Sequence, residues 1–295
     1  MNPILLQIAN GNAFFAGMVL AGVALAWRTR TTARALSSIL GVLACLGGIL
    51  VIFSGTPAPI WAYGIWFVLF LIVQGMPRPR VPSPWMPRVR AAALAGLLLT
   101  SGIMCCFEVP YHLAPSISVR RGQTLYVIGD SISAGLGTKD RAWPVALGEA
   151  TGLRVVNLAQ PGATAESALT QADGVLVDGS TVLVEIGGND LLDADADSTV
   201  FGTQLDDLLA KLQKRRQNIV MFELPLPPLR NGFGFAQRVL ASKHHCALIP
   251  KNVMAKVLGM RGGTLDGLHL SAKGHKALAT LVAGLLRIDD QAEAK

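Results

Sequence analysis

Two hydrophobic patterns divide this chain. Up to residue 108, apolar residues run in long, nearly unbroken stretches at about 8–27, 36–55, 58–76 and 91–108. Each approaches the ~20 residues a helix needs to cross the hydrocarbon core of a bilayer. Four such runs with no acid between them predict an all-α transmembrane region over 1–110 rather than buried helices of a soluble core. The third, "IWAYGIWFVLFLIV", is the clearest, and its Trp and Tyr suit the membrane interface at one end. Asn10 and Asn12 interrupt the first, which also lacks the basic leader of a cleaved signal peptide.

Beyond a connector at 111–122 the pattern changes. Short β-branched runs recur at 124–129, 154–159, 181–187, 218–225 and 246–250. Helical patterns lie between them, at about 142–151, 164–173, 198–215, 232–243 and 271–287. Strand–helix alternation predicts an α/β domain over 123–290, three-layered and doubly wound around a parallel five-stranded sheet, with a tail at 291–295. Ligands of such sheets bind beyond the carboxyl ends of the strands. Ser131 follows the first strand, Gly162 the second and Asn189 the third, so all three are expected at one edge.

Composition sharpens the division. The chain has 295 residues and only 15% charged residues, with a mean hydropathy of +0.45. Residues 1–110 carry seven Arg, no Lys and the single acid Glu108, whereas the remainder carries 19 basic and 18 acidic residues. The pI of 9.5 therefore reflects two arginine loops, "RTRTTAR" (28–34) and "MPRPRVPSPWMPRVR" (76–90), not a nucleic-acid surface. The prolines of the second loop read as a stiff connector rather than a polyproline ligand. The positive-inside rule places both loops in the cytoplasm, and the N-terminus and the α/β domain outside it. Arg120 and Arg121 oppose this, but they lead into a long domain, where the rule has little force. Four scattered cysteines imply neither a disulfide framework nor a zinc site.

The chemistry gathers in a few short stretches. "DGLHLSAKGH" (266–275) sets Asp266 three residues before His269, a spacing at which the carboxylate can fix the imidazole tautomer. An imidazole so held can take the proton of a serine hydroxyl. Rival readings exist for several neighbours. Ser133 falls in the turn after Ser131, and His275 lies inside the last helix as a structural histidine. Asp130 and Asp190 read as caps or loop braces. "KHHC" (243–246) offers adjacent histidines, which rarely hold one metal without further ligands. G-x-S-x-G is absent, and "GLGTKD" (135–140) lacks the third glycine of a dinucleotide loop. No metal or cofactor is expected.

"GDS" after the first strand, "PG" after the second, "GGND" after the third and "DGLH" before the last helix resemble, in order, the blocks of the SGNH or GDSL-type hydrolases. The resemblance covers 124–287 and leaves out the membrane half. "AWPVAL" (142–147) and "VEIGGND" further resemble the bacterial thioesterase/lysophospholipase branch. It implies a flavodoxin-like sheet, Ser131 as nucleophile, His269 as general base and Asp266 as its orienting acid. The implied oxyanion hole is the backbone N–H of Ser131 and Gly162 with the side-chain amide of Asn189. The expectation is a membrane-anchored serine esterase working through an acyl-enzyme, with an ester of lipid or cell-envelope glycan as substrate and the lipid bilayer as partner. Two other readings use the same residues or none: an O-acyltransferase acting on envelope glycan, and a non-catalytic docking module on the membrane.

Overall fold

The computed structural model describes residues 3–76, 85–136 and 142–289. The chain forms two compact units: one of 7–110 with 226–231, the other comprising 1–6, 111–225 and 232–295.

The residues of α1 (Pro3–Ala9) divide between the two units; the first unit then consists of the helices α2 (Asn12–Arg30), α3 (Arg34–Phe53), α4 (Ile60–Gly75) and α5 (Met86–Glu108). The expected stretch at 8–27 is split, because Asn10 Oδ1 accepts from Asn12 N at 2.9 Å and Gly11 adopts a left-handed φ of 82°. α2, α3 and the helix from Met86 to His112 are long and apolar enough to cross a membrane. α4, where 58–76 was expected, has 16 residues and spans about 24 Å.

α2 packs on α3 through small residues. A Cβ on Gly47 would meet Ala21 N at 2.6 Å, and one on Gly17 would meet Gly47 O at 2.6 Å. Small residues at these positions let the two backbones approach closely, as in helix pairs built on small-xxx-small patterns. Trp66 Nε1 donates to Ser101 Oγ at 2.8 Å and ties α4 to α5. Most of the Pro-rich connector, 77–84, lies outside the described residues.

The second unit holds the expected parallel sheet. Its strands are β2 (Thr124–Gly129), β3 (Arg154–Asn157), β4 (Thr181–Glu185), β5 (Asn218–Phe222) and β6 (Ala247–Ile249), in the order β3-β2-β4-β5-β6. β2 and β4 are buried along their whole length, as parallel strands covered on both faces must be. Around them lie α6 (Ser131–Ala134), α7 (Trp143–Thr151), α8 (Ala168–Gln171), α9 (Gly188–Leu192), α10 (Ser198–Gln213), α11 (Asn231–Lys243), α12 (Lys251–Leu258) and α13 (Ala272–Ala283).

Three segments differ from expectation. The helix at 164–173 shrinks to the single turn α8. The segment 251–258, given no element in the sequence, forms α12. The last helix stops at Ala283, and Leu286–Asp289 becomes a strand, β7. β7 pairs in parallel with Ile117–Arg120 (β1), inside the stretch read as a connector. Ile117 and Val119 are buried in the core of this unit, which draws the segment out of solvent. The tail at 291–295 is outside the described residues.

Candidate active site

The strand order creates the site. The chain passes from β2 to β3 on one side and then to β4 on the other, so β2 sits where the winding reverses. Loops diverge at such a point and leave a crevice at the carboxyl edge. The loops after β2, β3 and β4 carry Ser131, Gly162 and Asn189, and the three are neighbours by topology.

Ser131 opens α6. Asp130 caps that turn, its side chain accepting from Ile132 N at 2.9 Å. The strand end is clamped by Gln171, whose amide donates to Gly129 O and accepts from Gly129 N, both at 3.0 Å. Asn157 Nδ2 donates to Ser133 O at 2.8 Å and anchors the far end of α6 to β3. Gly129 itself admits no side chain: a Cβ would lie 2.7 Å from the Ser133 side chain.

Gly162 takes a left-handed φ of 77°, a conformation costly for other residues. Asn189 Nδ2 donates to Ala163 O at 2.8 Å and lies 3.5 Å from Asp130 Oδ2. The second contact is at the limit of a hydrogen bond, so one amide hydrogen is weakly engaged. Asp190 accepts from Ala165 N at 3.1 and 3.2 Å, the brace expected of it; burial raises its pKa.

Asp266 and His269 meet on a tight loop closed by the Thr264–Leu270 bridge. Asp266 Oδ2 is 2.6 Å from His269 Nδ1, and Oδ1 accepts from the backbone N–H of Leu268 and His269 at 2.9 and 2.8 Å. The His269 hydrogen bond, helped by these two, holds the Asp266 carboxyl well below its ordinary value. The arrangement fixes the tautomer with Nδ1 protonated and leaves Nε2 as the basic nitrogen. Burial raises the Asp130 carboxyl, next to Ser131, and a positive charge on the neighbouring His269 ring would act against that rise.

A group that the sequence reading passed over lies beneath Ser131. Glu185, the last residue of β4, is 3% exposed, as is Asp130. Glu185 Oε2 accepts from Ser133 Oγ at 2.7 Å, and that hydroxyl accepts from Trp143 Nε1 at 3.0 Å. Burial raises the Glu185 carboxyl well above its ordinary value, and the charge of the neighbouring Asp130 adds to the rise. Asp130 is raised too, first of all by burial. Two interacting carboxyls buried together do not readily both ionise. An acid inside the apolar run "TVLVEIG" was the signal.

The rival residues are occupied elsewhere. Ser133 is fully buried in this network. His275 is buried, its Nδ1 accepting from Trp143 N at 3.2 Å, and burial lowers its pKa. His244 sits between Gln213 and Asp206. Among the described residues no group of His, Cys, Asp or Glu could hold a metal.

Parallel sheet, reversal point and imidazole–carboxylate pair are the parts of a hydrolase built on a doubly wound sheet, without the G-x-S-x-G elbow of the α/β-hydrolase fold. The sequence pattern of the GDSL-like Lipase/Acylhydrolase family matches residues 127–277, and the chain belongs to that family: it is an SGNH-type hydrolase of ester bonds. The solved esterase EstA from Pseudoalteromonas sp. is similar in fold, with a TM-score of 0.50 and 21% identity over 55% of this chain and 95% of its own. TesA follows with a TM-score of 0.49 and 26% identity, over 55% and 97%. The lipase/acylhydrolase from Enterococcus faecalis gives 0.46 and 18%, over 55% and 94%. No curated protein sequence matches the chain.

Proposed function

We propose that this protein is a membrane-anchored serine esterase whose hydrolase unit faces the extracytoplasmic side. The observation that carries the catalytic part is the Asp266–His269 pair, an imidazole whose basic nitrogen is set by a 2.6 Å carboxylate bond. Ser131 Oγ attacks the ester carbonyl while His269 Nε2 takes its proton. The tetrahedral oxyanion is met by the N–H groups of Ser131 and Gly162 and by the weakly engaged hydrogen of Asn189. The acyl C–O bond then breaks, and His269 returns its proton to the leaving alcohol. Water repeats the sequence on the acyl-enzyme and frees the acid.

Leu136, Leu192, Leu265 and Leu268 are exposed on the same loops that carry the site residues, which suits an acyl chain at the site. The substrate class is an acyl ester of lipid or of envelope glycan. The exposed Asp266 loop leaves room for a sugar hydroxyl to replace water, so acyl transfer is the second reading. Candidate acceptors added during turnover separate the two by the presence of acylated product.

For the membrane part, α2, α3 and α5 cross the bilayer, and α4 crosses with local thinning to match its shorter length. Four crossings return the chain to the side of its N-terminus, and the arginine loops set that side as the outside. Labelling intact cells with a membrane-impermeant fluorophosphonate tests nucleophile and sidedness together. Wild type is expected to label and Ser131→Ala not to. Label on both, or on wild type only after cell lysis, would respectively remove Ser131 or the outward orientation.

A further inference from the structure

A buried line of hydrogen bonds runs behind the candidate site, and no step of the reaction above uses it. It starts at Glu185, the last residue of β4, whose Oε2 accepts from Ser133 Oγ at 2.7 Å. Ser133 Oγ accepts in turn from Trp143 Nε1 at 3.0 Å. The backbone N–H of the same tryptophan donates to His275 Nδ1 at 3.2 Å. All four residues are buried.

The plainest reading is local. Ala142, the N-cap residue of α7, makes no side-chain cap, so His275 supplies an acceptor for the first helical N–H instead. Ser133 likewise gives the indole N–H of a buried tryptophan a partner. Capping alone does not account for His275. Since Nδ1 accepts, the ring proton sits on Nε2, which is buried and has no partner among the described residues. An orphaned buried N–H opposes folding. A Ser, Thr or Asp at position 142 would cap α7 with no such group left over.

The line also ends on the two parts whose separation matters. Ser133 shares the single turn α6 with Ser131. His275 lies on α13, whose N-cap Ser271 follows His269 by two residues. Trp143 holds both, and α7 packs along α13. The Trp143 ring is fixed from a third side by Phe222, edge-on at 5.7 Å between centroids. A nucleophile and its base must meet within hydrogen-bond reach, and a misplacement of about 1 Å can cost on the order of 10²-fold in rate.

We propose that Glu185, Ser133, Trp143 and His275 form a brace that sets the turn carrying Ser131 against the loop carrying His269. They are positioning residues, acting through Ser131 and His269. The brace presupposes the Ser131–His269 reading of the site.

The test uses the purified full chain in detergent with an aryl acetate as substrate. Fluorophosphonate labelling carried to completion counts active sites, so that rates refer to folded enzyme. Ser133→Ala removes the middle of the line, and Trp143→Phe removes the indole donor while keeping a ring against Phe222. Each is expected to lower kcat at least about tenfold, with KM changed less than about twofold. His275→Leu is expected to do the same, and His275→Gln, which returns a side-chain acceptor, to recover most of kcat. Because a single line is cut, Ser133→Ala with His275→Leu is expected to lose no more than the worse single variant. Leu212→Ala, in the core on α10, is the control for stability alone and is expected to lower Tm with kcat unchanged. Brace variants that lower Tm in the same way but keep wild-type kcat overturn the proposal, as do losses that multiply in the double variant. Should Ser133→Ala fail to fold, Trp143→Phe and the two His275 variants decide by the same criteria. An inactive Ser131→Ala beside fully active brace variants sinks the brace alone. A Ser131→Ala that still hydrolyses sinks the site reading, and the brace with it.

Discussion

The Asp130–Glu185 pair makes a prediction that runs against the usual behaviour of carboxylates. In the unfolded chain both groups ionise at ordinary values, about 3.9 and 4.3. In the folded chain they are buried beside one another, and both are raised, first of all by burial. Above the ordinary values the folded state therefore holds more protons than the unfolded state, Asp130 releasing its own at about 6 and Glu185 staying protonated well above its ordinary range. The sign follows directly: stability falls as pH rises, by about 1.36 kcal/mol per pH unit for one proton. One proton retained across two pH units amounts to about 2.7 kcal/mol. For a domain of this size it corresponds to a Tm lower by roughly 5–10 °C. Glu185→Gln keeps an oxygen for Ser133 Oγ and cannot ionise, so it removes the Glu185 titration at nearly constant shape. Thermal unfolding of wild type and Glu185→Gln in detergent, across pH 5–7, should give curves that diverge by that amount, the wild type losing more. Parallel curves, or a wild type that gains on the variant as pH rises, would refute the raised Glu185 carboxyl.

Asp266→Asn should leave the fold intact and lower kcat by about 10⁴, since the amide favours the wrong tautomer of His269; hydrolysis of an aryl ester by purified protein reads it. Asn189→Ala should cost about 10²–10³ in kcat with little change in KM, as expected for a donor that acts on the oxyanion. Gly129→Ala drives a methyl to 2.7 Å from the Ser133 side chain, so folded yield and Tm should both fall, by about 1–3 kcal/mol of overpacking. Gly47→Val should separate α2 from α3, because a Cβ there already meets Ala21 N at 2.6 Å; cysteine cross-linking between the two helices checks it.

The sheet was legible because its strands are apolar runs of a few residues bounded by glycine or polar turns. The same strand ends exposed the "GDS", "PG" and "GGND" blocks. β1 and β7 were not legible: "ISVR" and "LRID" alternate over only four residues and carry charges, so they read as connector and helix end. α12 was hidden in "KNVMAKVL", whose Lys251 is buried rather than exposed. Within the site, the loop residues could be named, but their bracing could not. Gln171 holds Gly129 from 42 positions away, and Glu185 reaches Ser133 across 52. Contacts of that separation have no local signature.

The β1–β7 pairing has a mechanical consequence. The first strand after α5 is laced to the last four described residues, Leu286–Asp289, while Ile117 and Val119 seat the lace on the core. A two-stranded ribbon is weak by itself, so it holds only as long as both of its strands and their seat are present. A tension applied through α5 would load the carboxyl-terminal strand before it reached the central sheet. Trimming the chain at Leu285 should accordingly loosen the leash at 117–120 and leave β2 to β6 in register.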